Sequence, residues 1–404
     1  MTAQAGAGYS ENTDSFRAGL QAAQAAVAEA GAPPHLALAY CTSKHDPHRL
    51  HAGVRSALGP SARIVGGHSV GAITRDRLGY EGYQACVGAL TLPGTAIHLF
   101  LERDIAGREF EVGRRLGGQL AGVSDDGWRS LLLTYDSLRE NTPDRGPALN
   151  LATPLIAGMD ETIGRWPSVA GVGVFGDLQF NPTYQFFDDQ VMQQTASALL
   201  LCGDVRMDTI IMHGCEPAGR YHTITKAEGP VILEIDGRPA LDIIAQLLGA
   251  EENQTVEDYP LFVTLGVNRG ERFGPFREED YANRLCMAVD KVRRGLVMFE
   301  DDLQAGSEVQ LMRRSIDQKY VGTRCRELLR RLGGRRPFFA LYIDCAGRAA
   351  AYCGSEREEA EEVQHAIGSV MPLLGMYSGV EIAQVGHQIQ ALDWTGVLCI
   401  FSEP

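Results

Sequence analysis

At 404 residues the chain exceeds one core of ordinary size, and at about 100 to 200 residues per domain it divides into two or three units, two being the starting expectation. Hydrophobic residues make up 45% and charged residues 22%, a globular balance that excludes a large disordered fraction. A net charge of −14 repels phosphate backbones and argues against nucleic acid as a partner.

The first predicted helix covers residues 15–30 and stops at Gly31 and Pro33-Pro34. A strand follows at 35–41. Asp46 then reads as an N-cap with Pro47 in the first helical position, opening a helix that runs to Leu58 and ends at Gly59-Pro60. A short strand at 63–65 leads into Gly66-Gly67-His68-Ser69-Val70-Gly71. The middle of the chain is rich in strand-like runs, at 169–175, 209–213, 221–225, 231–235 and 261–265. From Arg313 to Arg336 basic residues cluster around an apolar stripe of Ile316, Tyr320, Val321, Leu328, Leu329 and Leu332, which predicts an amphipathic helix with a solvated arginine face. Its expected counterpart is the acidic run Glu356, Glu358, Glu359, Glu361 and Glu362, on a later helix with core residues Ala360, Val363, Ile367 and Val370. Between the two lies a strongly apolar strand at 338–345, and after the acidic helix a short strand enters Gly375-Met376-Tyr377-Ser378-Gly379.

Both ends of the chain therefore read helix, strand ending in Cys, helix, strand, glycine-rich loop with Ser, with Cys41 matching Cys345 and Gly71 matching Gly379. The expected fold is α/β with mixed, α+β-like sheets: two related halves with an internal pseudo-duplication and helices flanking mixed β-sheets, divided at about 1–200 and 201–404. The nine cysteines lack a C-x-x-C pair and several fall in apolar strands, the usage of reduced thiols in a cytoplasmic protein. No basic, then apolar leader and no run of roughly 18 apolar residues is present, so neither export nor membrane spanning is expected.

Four motifs bear on chemistry. Gly67-His68-Ser69-Val70-Gly71 satisfies the G-x-S-x-G nucleophile elbow, with His387 as a late histidine, but Gly79 and Gly82 interrupt the helix an elbow requires, and a strand-to-strand turn is the better reading. Cys41, His45, Asp46, His48 and His51 are close enough for a metal site, yet Asp46 is committed to a cap; no metal is expected. The segment from His213 through Cys215, Glu216 and Arg220 to His222 and Thr225 gathers polar side chains around turn residues, as site-lining loops do. Cys345-Ala346-Gly347-Arg348 puts a guanidinium at a strand mouth, suited either to a carboxylate ligand or to an internal ion pair with Glu381 or Asp344.

Three stretches resemble the FIST proteins, a family of intracellular signal-transduction domains with N- and C-terminal parts known from bacteria. They are residues 64–73; His213 with Glu216-Pro217-Ala218-Gly219, Ile224-Thr225-Lys226-Ala227 and Leu233 to Ala240; and Cys345-Ala346-Gly347-Arg348 followed by Pro372 to Tyr377 and Glu381-Ile382. Together they span about residues 35–401. The family's Gly-Glu-Ile stands here as Val380-Glu381-Ile382 and its late Asn as Asp393, so a retuned pocket is expected. The resemblance implies a sensory module for a small ligand such as an amino acid or another small anion, with haem, for nitric oxide sensing, in one branch. We expect that ligand between the halves: Arg348 as anion anchor, Glu381 as partner for an ammonium or for Arg348, and Ser69, Thr225, Tyr377 and Cys345 alongside. No cofactor is required on this reading; haem would call on His213 or His222 as axial ligand. The competing enzyme reading is a serine hydrolase using Ser69. The expected partner is a downstream signalling protein, with oligomerisation left open.

Overall fold

A computed structural model describes residues 2–404 apart from 125, 143, 145, 249–258, 261 and 316. One supersecondary unit occurs three times: edge strand, helix, strand, helix, a strand parallel to the previous one, a hairpin, and a closing strand. In the first unit these are Gln4–Ser10, Ser15–Ala30, Leu36–Cys41, Pro47–Leu58, Arg63–His68, the hairpin Gly71–Thr74/Leu78–Tyr80, and Ala85–Thr91. The second runs Thr95–Arg103, Glu109–Ala121, Trp128–Asp136, Ala152–Ile163, Ser168–Val174, the hairpin Gln185–Phe187/Gln190–Met192, and Thr195–Gly203. The third runs Arg206–Met212, Lys319–Arg331, Arg336–Cys345, Glu359–Ile367, Leu373–Ser378, the hairpin Val380–Val385/Gln388–Leu392, and Gly396–Glu403. The duplication expected from residues 35–73 and 338–382 is thus present, and the strand-rich middle holds a further copy. Strand Thr195–Gly203 crosses the boundary expected at residue 200.

Local signals act as anticipated at the N-terminus. Asp14 accepts the Arg17 N–H and Gly31 closes the first helix at φ 69, while Asp46 accepts the Arg49 N–H just ahead of Pro47. In each unit the two central strands pair in parallel, and a crossover helix is what parallel pairing demands. The hairpin never stays at home: Gly71–Thr74 joins Leu373–Ser378, Gln185–Phe187 joins Arg63–His68, and Val380–Val385 joins Ser168–Val174. The exchange is cyclic. Each six-stranded sheet has an edge covered by a neighbour's hairpin, which removes an open pairing edge and ties the units together. Inner faces of all three sheets meet in one cluster through Leu36 and Leu38, Leu132 and Leu199, and Phe339, Leu341 and Ile343.

Inserted into the third unit is an antiparallel barrel. Its strands follow the order Glu308–Arg314, His222–Glu228, Val231–Ile235, Gly295–Met298, Tyr281–Asp290 and Thr264–Asn268, and the last pairs back to the first. This corrects the basic segment: Arg313 and Arg314 belong to a barrel strand, the helix begins at Lys319, and Ile316 lies outside the described residues. The helix's arginines also meet different acids from those expected. Arg324 pairs with Glu278 (3.1 Å) and Glu279 (3.3 Å), and Arg331 reaches Glu279 at 3.4 Å, because the turn Glu278–Asp280 leads from the barrel against this helix.

Backbone contact through glycine holds the helix pairs of the first two units. A Cβ at Gly53 would lie 2.0 Å from the Phe16 carbonyl oxygen and one at Gly19 2.2 Å from that of Leu50; at Gly158 and Gly113 the corresponding distances are 2.0 Å to Phe110 and 2.0 Å to Leu155. Gly158→Ala should therefore lower stability by about 1–3 kcal/mol through overpacking. Gly118→Ala, on the same helix as Gly113 with nothing within 4 Å, should be neutral or stabilising by up to about 1 kcal/mol. Thermal unfolding of both variants checks this, and equal effects would contradict the packing argument.

Candidate functional site

The parallel strands carry their C-terminal ends to one side of each sheet, where small-molecule sites of α/β proteins form. Cys345 and Ser378 end adjacent parallel strands in register. The chain then crosses to the second unit's sheet at Gly379, whose N–H donates to the Gly173 carbonyl (3.2 Å). A Cβ there would come within 3.0 Å of Phe175 and 3.1 Å of the Ser137 hydroxyl, so a side chain at this crossing would crowd both. Around the crossing lies a cavity of about 170 Å³. Its walls are Leu149, Phe175, Leu178 and Phe180 from the second unit and Leu285 and Phe299 from the barrel; Ser137, Cys345, Ser378 and Asp393 supply the polar side chains.

Behind these walls is a dense set of buried ionisable groups. Arg348 is fully enclosed: its Nε donates to Asp344 Oδ1 (2.9 Å), its Nη groups donate to the Trp394 carbonyl (3.3 Å) and the Tyr320 hydroxyl (3.1 Å), and it forms an ion pair with Glu359. The guanidinium is thus held by the protein and does not line the cavity. Of the two internal partners weighed for it, Asp344 is used and Glu381 is not. Glu381 instead has Oε1 against the Ser378 hydroxyl (2.6 Å), while Oε2 has no partner among the described residues. Burial, reinforced by the neighbouring Asp344 and Asp393 carboxyls, pushes Glu381 well above the usual carboxyl range and favours its protonated form. Burial likewise lifts Asp344 and Asp393 to about 6, opposed at Asp393 by Arg284 and the Leu285 N–H (2.8 Å). The Cys345 thiol is pushed up by burial and by Glu381, which leaves it a thiol rather than a nucleophilic thiolate.

The other expected residues lie elsewhere. Tyr377 donates its hydroxyl to Glu358 (2.8 Å). Thr225 is exposed on the barrel and accepts the Gly237 N–H. His213 has both ring nitrogens engaged, Nδ1 accepting from the Cys215 N–H (3.0 Å) and Nε2 donating to the Glu278 carbonyl (3.1 Å), and His222 Nδ1 bonds Asp236 (2.8 Å). Ser69 is buried with its hydroxyl unpartnered among the described residues, beside His68, which burial holds near 4 and neutral. From Ser69 the chain enters the strand Gly71–Thr74, not the helix whose N-terminus would support an oxyanion. In the first unit, Cys41 packs among helix-facing residues, His45 Nδ1 meets the Ser15 hydroxyl, Asp46 caps its helix, and His51 bonds the Asp188 carbonyl. Cys41 and Cys345 share a register position, yet only Cys345 faces the cavity.

Sequence patterns alone did not point to Ser137 or to the aromatic walls. The strand end Tyr135-Asp136-Ser137 parallels Asp344-Cys345, an Asp followed by a small hydrogen-bonding residue, and that is the signal the sequence offers.

Three exchanged α/β units carry a barrel insertion, and a cavity lies where the second unit, the third unit and the barrel meet. The chain belongs to the FIST family: the FIST N domain matches residues 35–238 and the FIST C domain residues 240–384. FIST domains are sensory, signal-transduction domains. Among relatives, an uncharacterized protein of Methanocaldococcus jannaschii is 25% identical over 52% of this chain and 40% of its own length. An uncharacterized protein of Mycobacterium bovis is 24% identical over 58% of this chain and 61% of its own. The matched part of the chain thus spans less than two thirds of these relatives. Of solved structures, a cyanuric acid hydrolase from A. caulinodans aligns at 10% identity over 50% of this chain and 71% of that one with a TM-score of 0.28, too low for any functional argument. No helix among the described residues is long and apolar enough to cross a membrane.

The buried acids set a pH dependence. Asp136, Asp344 and Asp393 are raised to about 6 and Glu300 to about 8, chiefly by burial, while the unfolded chain gives up these protons near the ordinary values of 3.8 and 4.5. Raised folded values mean that this contribution is complete below the unfolded values and is lost as pH climbs through about 6 and then about 8. His45, His51, His68 and His213, lowered by burial from 6.5, act in the opposite direction below that value, so the thermal midpoint should fall between about pH 7 and pH 8, where Glu300 dominates, and Glu300→Gln should flatten that slope. A wild-type midpoint that is flat or rises between about pH 7 and pH 8 would show Glu300 to be ionised in the fold.

Proposed function

We propose that the chain is the ligand-binding part of a sensory signalling protein, and that its ligand occupies the cavity bounded by Cys345, Ser378, Asp393 and Phe299. The observation that carries this reading is the composition of the cavity: apolar walls drawn from the second unit and the barrel, with a few polar groups converging from the third unit's strand ends. Because Leu285 and Phe299 belong to the barrel while Cys345 and Ser378 belong to a sheet, occupancy biases how the barrel sits on the body, which is a means of passing a signal to another protein. The expected small anion is less well served than a neutral or cationic ligand, since Arg348 is neutralised by Asp344 and Glu359. Haem finds no histidine among the lining residues.

Native mass spectrometry of the purified chain, followed by a thermal-shift screen of small metabolites, tests the reading. Leu178→Trp, at a half-buried wall position, should weaken any ligand found by at least about tenfold, roughly 1.4 kcal/mol. Equal affinity in wild type and Leu178→Trp would place the ligand elsewhere and sink the proposal.

A further inference from the structure

We infer that the ligand class this cavity accepts is a small hydrophobic amine whose ammonium group sits on Asp393; the inference rests on the cavity being the ligand site. Size comes first. An apolar cavity of about 150 Å³ holds a single benzene ring, and this one measures about 170 Å³, enough for one ring or short branched chain with a brief polar tail.

Hydrogen-bond bookkeeping decides what the tail must be. The Ser137 hydroxyl donates to the Val174 carbonyl (2.6 Å), and the Ser378 hydroxyl lies between the Asp344 carbonyl (3.1 Å) and Glu381 (2.6 Å), so both hydroxyl protons are committed to the protein. Asp393 Oδ2 accepts the Leu285 N–H, and its Oδ1 meets no donor among the described residues. The lining includes no lysine, arginine or histidine. Three guanidiniums behind the walls are engaged by the protein: Arg284 by Asp302 (2.7 and 2.6 Å) and the carbonyls of Asn283 and Ala391, Arg348 by Asp344 and Glu359, and Arg314 by the Trp394 ring (3.4 Å to its centroid) and the Thr264 hydroxyl (3.1 Å). Apart from the weakly donating Cys345 thiol, the polar side chains on the cavity wall therefore offer acceptors and the Asp393 carboxyl, set in an apolar surface. A ligand has to bring the protons, and a cationic donor against a carboxylate forms the stronger, charge-assisted bond. A ligand carboxylate would face Asp393 with no donor to receive it.

Three probes of one shape separate the alternatives: phenethylamine, phenethyl alcohol and phenylacetate, titrated calorimetrically into the full chain at neutral pH. The amine should bind about ten- to a hundredfold more tightly than the alcohol, the range for a charged over a neutral hydrogen bond, and phenylacetate should bind weakest. Asp393→Asn retains an acceptor for the Leu285 N–H and should erase the preference for amine over alcohol while leaving alcohol affinity in place. An alcohol that matches the amine, or phenylacetate as the tightest probe, overturns the amine inference and leaves the cavity reading standing. Binding of none of the probes to wild-type protein also overturns it. Amine affinity undiminished in Leu178→Trp overturns the cavity reading and the inference together.

Discussion

Everything in this fold hangs on the exchange of hairpins between sheets. A strand that leaves its own unit to pair with the next satisfies backbone groups on both sides of the exchange, so no unit can be lifted away without exposing a pairing edge. The crossing points are also where the strand ends converge. At Gly379 the chain passes from one sheet to another within hydrogen-bonding reach of Gly173, and this close approach brings Ser378 and Cys345 beside Phe175 and Ser137. The site is thus a product of the exchange rather than an addition to it.

The barrel is fastened to this body by buried polar groups as well as by apolar packing. Glu300, on the barrel side, accepts the backbone N–H groups of Ala152 (3.0 Å) and Thr153 (2.9 Å) and so caps a helix of the second unit, which has no side-chain cap of its own. Asp393 performs the reverse service for the barrel's Leu285 N–H, and Arg284 holds Asp302 while donating to the Ala391 carbonyl. Each of these groups is buried, so each depends on its partner: in a low dielectric, removing one member strands the other. On the proposed reading, a ligand that touched both bodies would alter the balance of the same contacts.

Much of the frame could be read from the residues. Caps and stops set the first two helices to the residue, since Asp14, Gly31, Asp46 and Pro47 act through local backbone chemistry that no tertiary contact overrides. The terminal copies were legible because each keeps a cysteine at a strand end and a Ser-containing glycine loop. The middle copy lacks both marks. Its signature lies in the helices, where Phe110-x-x-Gly113 and Leu155-x-x-Gly158 reproduce Phe16-x-x-Gly19 and Leu50-x-x-Gly53, the residues through which paired helices touch backbone to backbone. The basic helix was misplaced because Arg313 and Arg314 continue the same charge run while pairing in a strand, and periodicity cannot see a pairing partner. The site was only partly legible for a similar reason: Arg348 at a strand mouth is a sound anion-anchor pattern until Asp344 and Glu359 are found against it.

Near-threefold repetition makes the differences between junctions informative. Where the first unit's hairpin meets the third sheet, Tyr80 and Tyr377 both bond Glu358 and pack edge to face at 5.6 Å, which fills the space. Where the first and second units meet, Thr42, Ser43, Lys44 and Asp177 line a polar recess of about 340 Å³, and Ser43 is tied to Asp177. Of these three junctions, that of the second unit, third unit and barrel alone combines an apolar wall with unsatisfied acceptors. The same backbone arrangement has received a filled, a polar and a largely apolar solution. An Asp393 oxygen left without a donor beside an apolar wall is costly in a folded chain unless something binds there, and that cost is the physical reason the proposed ligand is placed at this junction and not at the other two.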